Sequence, residues 1–116
     1  MFKINMEFIR GMLFVRLDGI LSRRTSNELN QVLDEMINEH GIRYFVINLE
    51  NLSLIDEAGI KSIMDHYFDV IMHDGKLVVC GYDNIVKRKV RNEVNLAFQN
   101  IENSSNELSA FRLINI

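Results

Sequence analysis

The sequence predicts an α/β fold: a mixed, mostly parallel sheet with helices packed on it, in the order ββαβαβαβα. Three observations predict it. Strand-like runs alternate with helix-period segments along most of the chain, which calls for parallel strands joined by right-handed crossovers. The first two strand-like runs are separated only by Arg10-Gly11, so they form an antiparallel hairpin that adds an edge to the sheet. Two short runs, residues 44–49 and 77–80, are nearly continuous in apolar residues, the pattern of strands buried on both faces.

Each element has its own signal. Residues 2–9 and 12–18 are the hairpin strands; in the second, Leu13, Val15 and Leu17 point one way while Phe14 and Arg16 point the other. Asp18-Gly19 then carries turn chemistry. Thr25 with Glu28 is a candidate capping box, and Leu29, Val32, Leu33, Met36 and Ile37 repeat at helical spacing up to Gly41, which suits a left-handed helix end. After the strand at 44–49, residues 50–54 read as a loop. The next helix has Asp56 as N-cap and Gly75 as stop, and Ile60, Ile63, Met64, Tyr67, Phe68, Ile71 and Met72 form one apolar stripe. Beyond the strand at 77–80, Asn84 caps a short helix to about Val94 with Ile85, Val86 and Val90 inward. Residues 96–101 read as the last strand, and Ser104 with Glu107 caps a final helix carrying Leu108, Phe111 and Leu113.

The chain has 116 residues, 47% of them hydrophobic, enough for one core and too little for two. Residues 1–116 therefore read as a single domain without linker, repeat or low-complexity segment. The net charge of −3 gives no electrostatic footprint for nucleic acid or an anionic membrane. The one basic cluster, Lys87-Arg88-Lys89 with Arg91, reads as solvated helix surface. The start lacks the apolar core of a secretory signal, and no run approaches the ~20 residues that span a bilayer, so no membrane insertion is expected. The lone cysteine, Cys80, excludes an internal disulfide and fits a reducing, cytoplasmic setting.

No catalytic constellation rises above background. Asp65, His66, Asp69 and His73 share one helix, but His66 and His73 lie about 10 Å apart along it at 1.5 Å per residue, too far for one metal ion. They read as the polar face opposite the apolar stripe. Cys80 reads as packing rather than a nucleophile, and the isolated glycines Gly59, Gly75 and Gly81 make no phosphate loop. The expectation is a non-enzyme without cofactor or metal. What remains is Asp56-Glu57 at a helix N-terminus, where acidic residues gain about 0.3–1 kcal/mol from free N–H groups and the helix dipole.

That loop, Asn51-Leu52-Ser53-Leu54-Ile55-Asp56-Glu57-Ala58-Gly59-Ile60, with the strand before it and the amphipathic helix after it, resembles the STAS domain family, the anti-sigma factor antagonists of bacterial partner switching. Residues 15–21, Val-Arg-Leu-Asp-Gly-Ile-Leu, resemble the family's early strand ending in Gly-x-Leu, and residues 76–81 its next strand. The resemblance covers nearly the whole chain and implies a protein-binding regulator. In the family, the serine directly after the aspartate is phosphorylated by a kinase that is also the anti-sigma factor, and the phosphate breaks the complex. Here Glu57 occupies that serine position and Ala58 the following hydroxyl position, so the usual acceptor is gone. Either Glu57 imitates the phosphorylated state with about one charge instead of nearly two, or the domain serves a role without a phosphoswitch; Ser53 and Ser62 are substitute acceptors, the latter disfavoured by its place within a helix. The expected partner surface is Ser53, Asp56, Glu57, Ala58, Gly59 and Lys61. In it Asp56 shapes the loop, Glu57 sets its charge and Gly59 admits the partner's backbone. The expected partner is an anti-sigma factor resembling a serine kinase, with weak homodimerisation besides. The alternatives implied are an accessory subunit of a membrane transport complex and a nucleotide- or ligand-sensing domain.

Overall fold

The computed structural model describes residues 1–85 and 88–114. In order, the elements are β1 (Phe2–Ile9), β2 (Met12–Leu21), α1 (Ser26–Asn38), β3 (Tyr44–Ile55), α2 (Glu57–Met72), β4 (Lys76–Cys80), a 3-10 turn (Tyr82–Asn84), α3 (Arg88–Ala97), β5 (Asn103–Ser104) and α4 (Glu107–Ile114). The five strands form one sheet in the order β1-β2-β3-β4-β5. Only the β1–β2 pair is antiparallel. Arg10 and Gly11 close that hairpin, both with positive φ (52° and 85°), the twist that matches a two-residue connection.

Strand alternation sorts the side chains onto two faces. Leu13, Val15, Leu17, Phe45, Ile47, Leu49, Leu77 and Val79 face a core closed by Leu29, Leu33 and Ile37 of α1, Ile63 and Val70 of α2, and Val94 of α3. Met12, Phe14, Val46, Val78 and Cys80 face the other way and meet Ala110 of α4. Among the described residues, α4 is the helix on that second face.

Several local expectations are corrected. β2 does not stop at Asp18-Gly19. Gly19 takes φ +96° inside the strand, and the pairing with β3 shifts register on either side of it, so the glycine marks a bulge rather than a turn. With β2 continuing to Leu21, β3 keeps a partner, and residues 50–54 are strand rather than loop. Asp18 pairs with Asn51, Gly19 with Leu52, and Leu21 with Ile55.

The segment 96–101 is not a strand. Val94, Phe98 and Ile101, all buried, sit at spacings of four and three, and α3 runs on to Ala97. Of the described residues after α3, only Asn103–Ser104 pairs with β4. The helix expected from Asn84 starts at Arg88. Val86 and Lys87, and the side chains of Asn84, Arg88 and Lys89, lie outside the described residues.

Neither candidate capping box forms. Thr25 occupies the N-cap of α1, but its hydroxyl accepts from Ser22 N at 2.8 Å and donates to Ile20 O at 2.9 Å, tying the loop rather than the helix. For α4 the cap is Asn106, whose Oδ1 accepts from Ser109 N at 2.9 Å. At the end of α2, Asp74 rather than Gly75 is left-handed, at φ 61°. The Gly75 N–H returns to Val70 O and the Asp74 N–H to Ile71 O, a Schellman closure. Gly75 is required for a different reason: a Cβ there would sit 2.1 Å from Arg43 O.

The stripe on α2 is rotated from its expected place. Phe68 and Met72 are 57% and 81% exposed. Buried instead are Ser62 and His66, which face α1. The Ser62 hydroxyl donates to Asn30 Oδ1. The His66 ring lies 2.8 Å from both Ser62 O and Asp34 Oδ1. These partners make burial of the two polar groups tolerable. No helix is long and apolar enough to cross a membrane among the described residues.

Candidate functional site

Because β2 and β3 run on together beyond the end of β4, they carry the β3–α2 junction to one end of the sheet. There Asp56 links three segments. Its backbone is extended (φ −107°, ψ −175°) as an N-cap requires, and Oδ1 accepts from Gly59 N at 2.9 Å. Oδ2 accepts from Arg23 N at 3.0 Å, and the Asp56 N–H donates to Leu21 O at 3.1 Å. One residue thus fastens the start of α2 to the β2–α1 connection through both its side chain and its backbone.

Glu57 is the first residue of α2 and is exposed. It enters none of the ion pairs among the described residues. Ala58 beside it is half-buried. Lys61, one turn on, is exposed and pairs with Asp65 at 2.7 Å, a surface contact that adds little to stability. Ser53 is exposed, but its hydroxyl donates to Gly19 O at 3.0 Å and so bridges the bulge.

Gly59 does not admit a partner. It is buried, and a Cβ there would lie 2.8 Å from Leu21 Cγ and Leu21 O and 2.9 Å from Ile55 Cγ1. The close approach this glycine permits is that of α2 to its own sheet. Ser62, one of the two substitute phosphate acceptors, is 4% exposed beneath α1, out of reach of a kinase. The structure therefore leaves Ser53, Glu57 and Lys61 exposed and Asp56 and Ala58 half-buried, and it withdraws Gly59 and Ser62 from the surface.

The sequence reading missed the β2–α1 connection. Leu21 and Arg23 bond Asp56, and Arg23 and Arg24 place two exposed cations on this connection. The signal was present in the Gly-x-Leu that ends the early strand: Leu21 is the residue that receives the Asp56 N–H.

A second polar cluster lies on the opposite face of the sheet. Arg16 holds the Glu107 carboxylate with two bonds (2.8 and 2.9 Å) and Glu7 with a third at 2.8 Å. Asn48, buried, donates to Glu107 at 2.8 Å and accepts from Glu50 N at 2.9 Å. The Arg16 bonds, and secondarily Asn48, hold the Glu107 carboxyl below its ordinary range, against the opposing effect of burial. Glu107, and after it Glu7, raises the Arg16 guanidinium. The bidentate pair and its neighbours clamp α4 onto the sheet. Burial, then Glu107 and Glu50, pushes the Cys80 thiol up to about 12, so it stays a thiol. No group of three or more His, Cys, Asp or Glu suited to a metal ion occurs among the described residues.

Comparison with known proteins agrees with this architecture. Residues 3–108 match the family described as the STAS domain. Over 86 residues the chain is 34% identical to an anti-sigma F factor antagonist of Paenibacillus polymyxa, covering 74% of each protein. An anti-sigma factor antagonist from Mycobacterium paratuberculosis has a similar structure, with a TM-score of 0.84 at 15% identity, over 100% of this chain and 96% of that one. The phosphorylated form of the Bacillus cell fate determinant SpoIIAA superposes with a TM-score of 0.72 at 15% identity, over 96% of this chain and 99% of that one.

Proposed function

This chain belongs to the STAS domain family, and from that premise we propose that it is a non-enzymatic regulator that acts by docking an anti-sigma factor resembling a serine kinase. The docking surface is the N-terminus of α2, with Glu57, Lys61 and Ser53 exposed to the partner, Ala58 half-buried among them, and Asp56 and Gly59 shaping the turn beneath them. The observation that carries this reading is Glu57 itself. It stands exposed at the first position of α2, directly after the N-cap Asp56, where the family places its phosphate-accepting serine. A carboxylate there cannot be switched by a kinase. It holds about one negative charge at all times where a phosphoserine would hold nearly two, and the domain is thereby fixed in one binding state.

The test compares wild type with Glu57→Ser. Both are immobilised, source-cell lysate is passed over them, and the retained proteins are identified by mass spectrometry. Glu57→Ser is expected to retain an ATP-binding, kinase-like anti-sigma factor more strongly than wild type. Retention of the same transporter component by both, or of no kinase by either, would sink the antagonist reading.

A further inference from the structure

β1 lies at the margin of the sheet and pairs only with β2 among the described residues. Its outer edge is eight residues long and carries no proline. An open edge of this kind is a template for another strand. Which groups it offers follows from the hairpin. The Ile20 N–H donates to Met1 O at 2.9 Å, so, at the two-residue period of an antiparallel ladder, the backbone groups of Lys3, Asn5, Glu7 and Ile9 face β2. Those of Phe2, Ile4, Met6 and Phe8 face outward.

The side chains of these same four residues lie on the face of the sheet that bears α1. Phe2 and Ile4 pack against the main core there, whereas Met6 and Phe8 are 37% and 60% exposed. Beside Phe8, a recess of about 330 Å³ is lined by Phe8, Leu13, Met36, His40 and Ile42. On the other face, Lys3 and Glu7 are exposed. Glu7 uses one carboxylate oxygen for Arg16 at 2.8 Å.

We propose that β1 pairs antiparallel with β1 of a second copy of this chain, across a two-fold axis through Asn5. A two-fold axis makes such pairing antiparallel and self-complementary. Centred on Asn5, it sets Phe2 opposite Phe8 and Ile4 opposite Met6, so the outward N–H and C=O groups meet in hydrogen-bonded pairs. It also sets Lys3 opposite Glu7 of the second copy, and Glu7 opposite its Lys3. Sliding the axis to Ile4 or Met6 keeps the ladder but separates the charges, so charge complementarity selects this register. Phe2 of the second copy then covers Phe8 at the rim of the recess, and the apolar face becomes continuous across the two sheets. Phe2 adjoins Gly19, at the end of the sheet where Asp56 lies. Antiparallel pairing therefore points the two α2 N-termini to opposite ends of the dimer and leaves each open. This inference does not depend on the docking role argued above.

Sedimentation equilibrium of the full chain over a concentration series tests it. Wild type is expected to associate to a dimer. Lys3→Glu should weaken that dimer about tenfold, since two cross-strand pairs turn from attractive to repulsive. The double variant Lys3→Glu/Glu7→Lys should recover most of the loss. Met6→Pro removes an outward N–H without touching the inner ladder, so it should abolish the dimer while the far-ultraviolet circular dichroism stays that of wild type. A chain monomeric at every concentration would overturn the proposal. So would a dimer indifferent to Lys3→Glu or Met6→Pro, or a double variant no tighter than Lys3→Glu alone.

Discussion

Asp56 gives the sharpest quantitative test of the site's construction, because its two oxygens serve two different segments. Oδ1 caps α2 through Gly59 N, and Oδ2 holds the β2–α1 connection through Arg23 N. An N-cap is worth about 1 kcal/mol, and a hydrogen bond to a charged acceptor about 1.5 kcal/mol at the low end of its range, which suits a half-exposed group. Asp56→Ala removes both and is expected to destabilise the domain by roughly 2–3 kcal/mol. For a chain of this length that lowers Tm by roughly 8–12 °C.

Asp56→Asn separates the two contributions. An amide has one acceptor oxygen, and asparagine caps helices about as well as aspartate. Its NH2 would then face the Arg23 N–H, donor against donor. The cap survives and the second bond is lost, for an expected cost of about 1–1.5 kcal/mol, roughly half that of Asp56→Ala. Urea unfolding followed by circular dichroism measures both, with the slope unchanged if only native-state contacts are affected. Hydrogen exchange at the Arg23 and Gly59 amides identifies which bond has gone. Equal losses in the two variants would refute the division into two bonds. A loss under about 0.5 kcal/mol in Asp56→Ala would refute the bridge altogether.

Two further predictions concern packing and pH. Gly59→Ala should gain about 1 kcal/mol in helix propensity yet destabilise on balance. The new methyl meets Leu21 O, which is held by the Asp56 N–H, and overpacking of this kind costs about 1–3 kcal/mol; a Tm equal to or above wild type would refute the tight contact. Glu107 is held below its ordinary range, first by Arg16, so the folded state binds fewer protons there than the unfolded state. Its contribution is present above the unfolded value of about 4.3 and is lost as pH falls through the lower folded value. Wild type should therefore lose Tm more steeply than Glu107→Gln below about pH 4.3, and parallel pH profiles would remove Glu107 as the cause.

The element order was legible because it rests on periodicity, which survives without tertiary context. Several of the errors share a cause: they arose where a residue's partner lies far along the chain. Gly19 looked like a turn because the strand that accompanies it past the bulge, β3, comes some thirty residues later. Glu107 looked like a capping partner for Ser104, whereas its bonds go to Arg16 and Asn48 across the sheet. His66 looked like part of a solvated polar face, yet it finds its partner on α1, at Asp34. The segment at 96–101 is different, because its four-and-three spacing of Val94, Phe98 and Ile101 was present locally. The Asp56-Glu57 pair was legible as a helix start from the aspartate alone. Its union with Arg23 was not, since that bond joins two backbone segments that only the sheet brings together.

The placement of Glu57 shows why a fixed charge is tolerable at this position. The free N–H groups that open α2 attract a negative charge whether or not a partner is present. Asp56 already satisfies the Gly59 N–H, so Glu57 has no capping duty and its side chain projects into solvent. Serine, phosphoserine and glutamate are thus all compatible with the same backbone at this residue. What changes among them is the charge displayed at the surface, from zero to about one to nearly two. On the docking role proposed above, such a site would transmit its state through electrostatics and would require no rearrangement of the sheet behind it. It follows that Glu57→Ser should alter partner affinity while leaving the unfolding free energy within about 0.5 kcal/mol of wild type, the range of surface substitutions that touch no packed group.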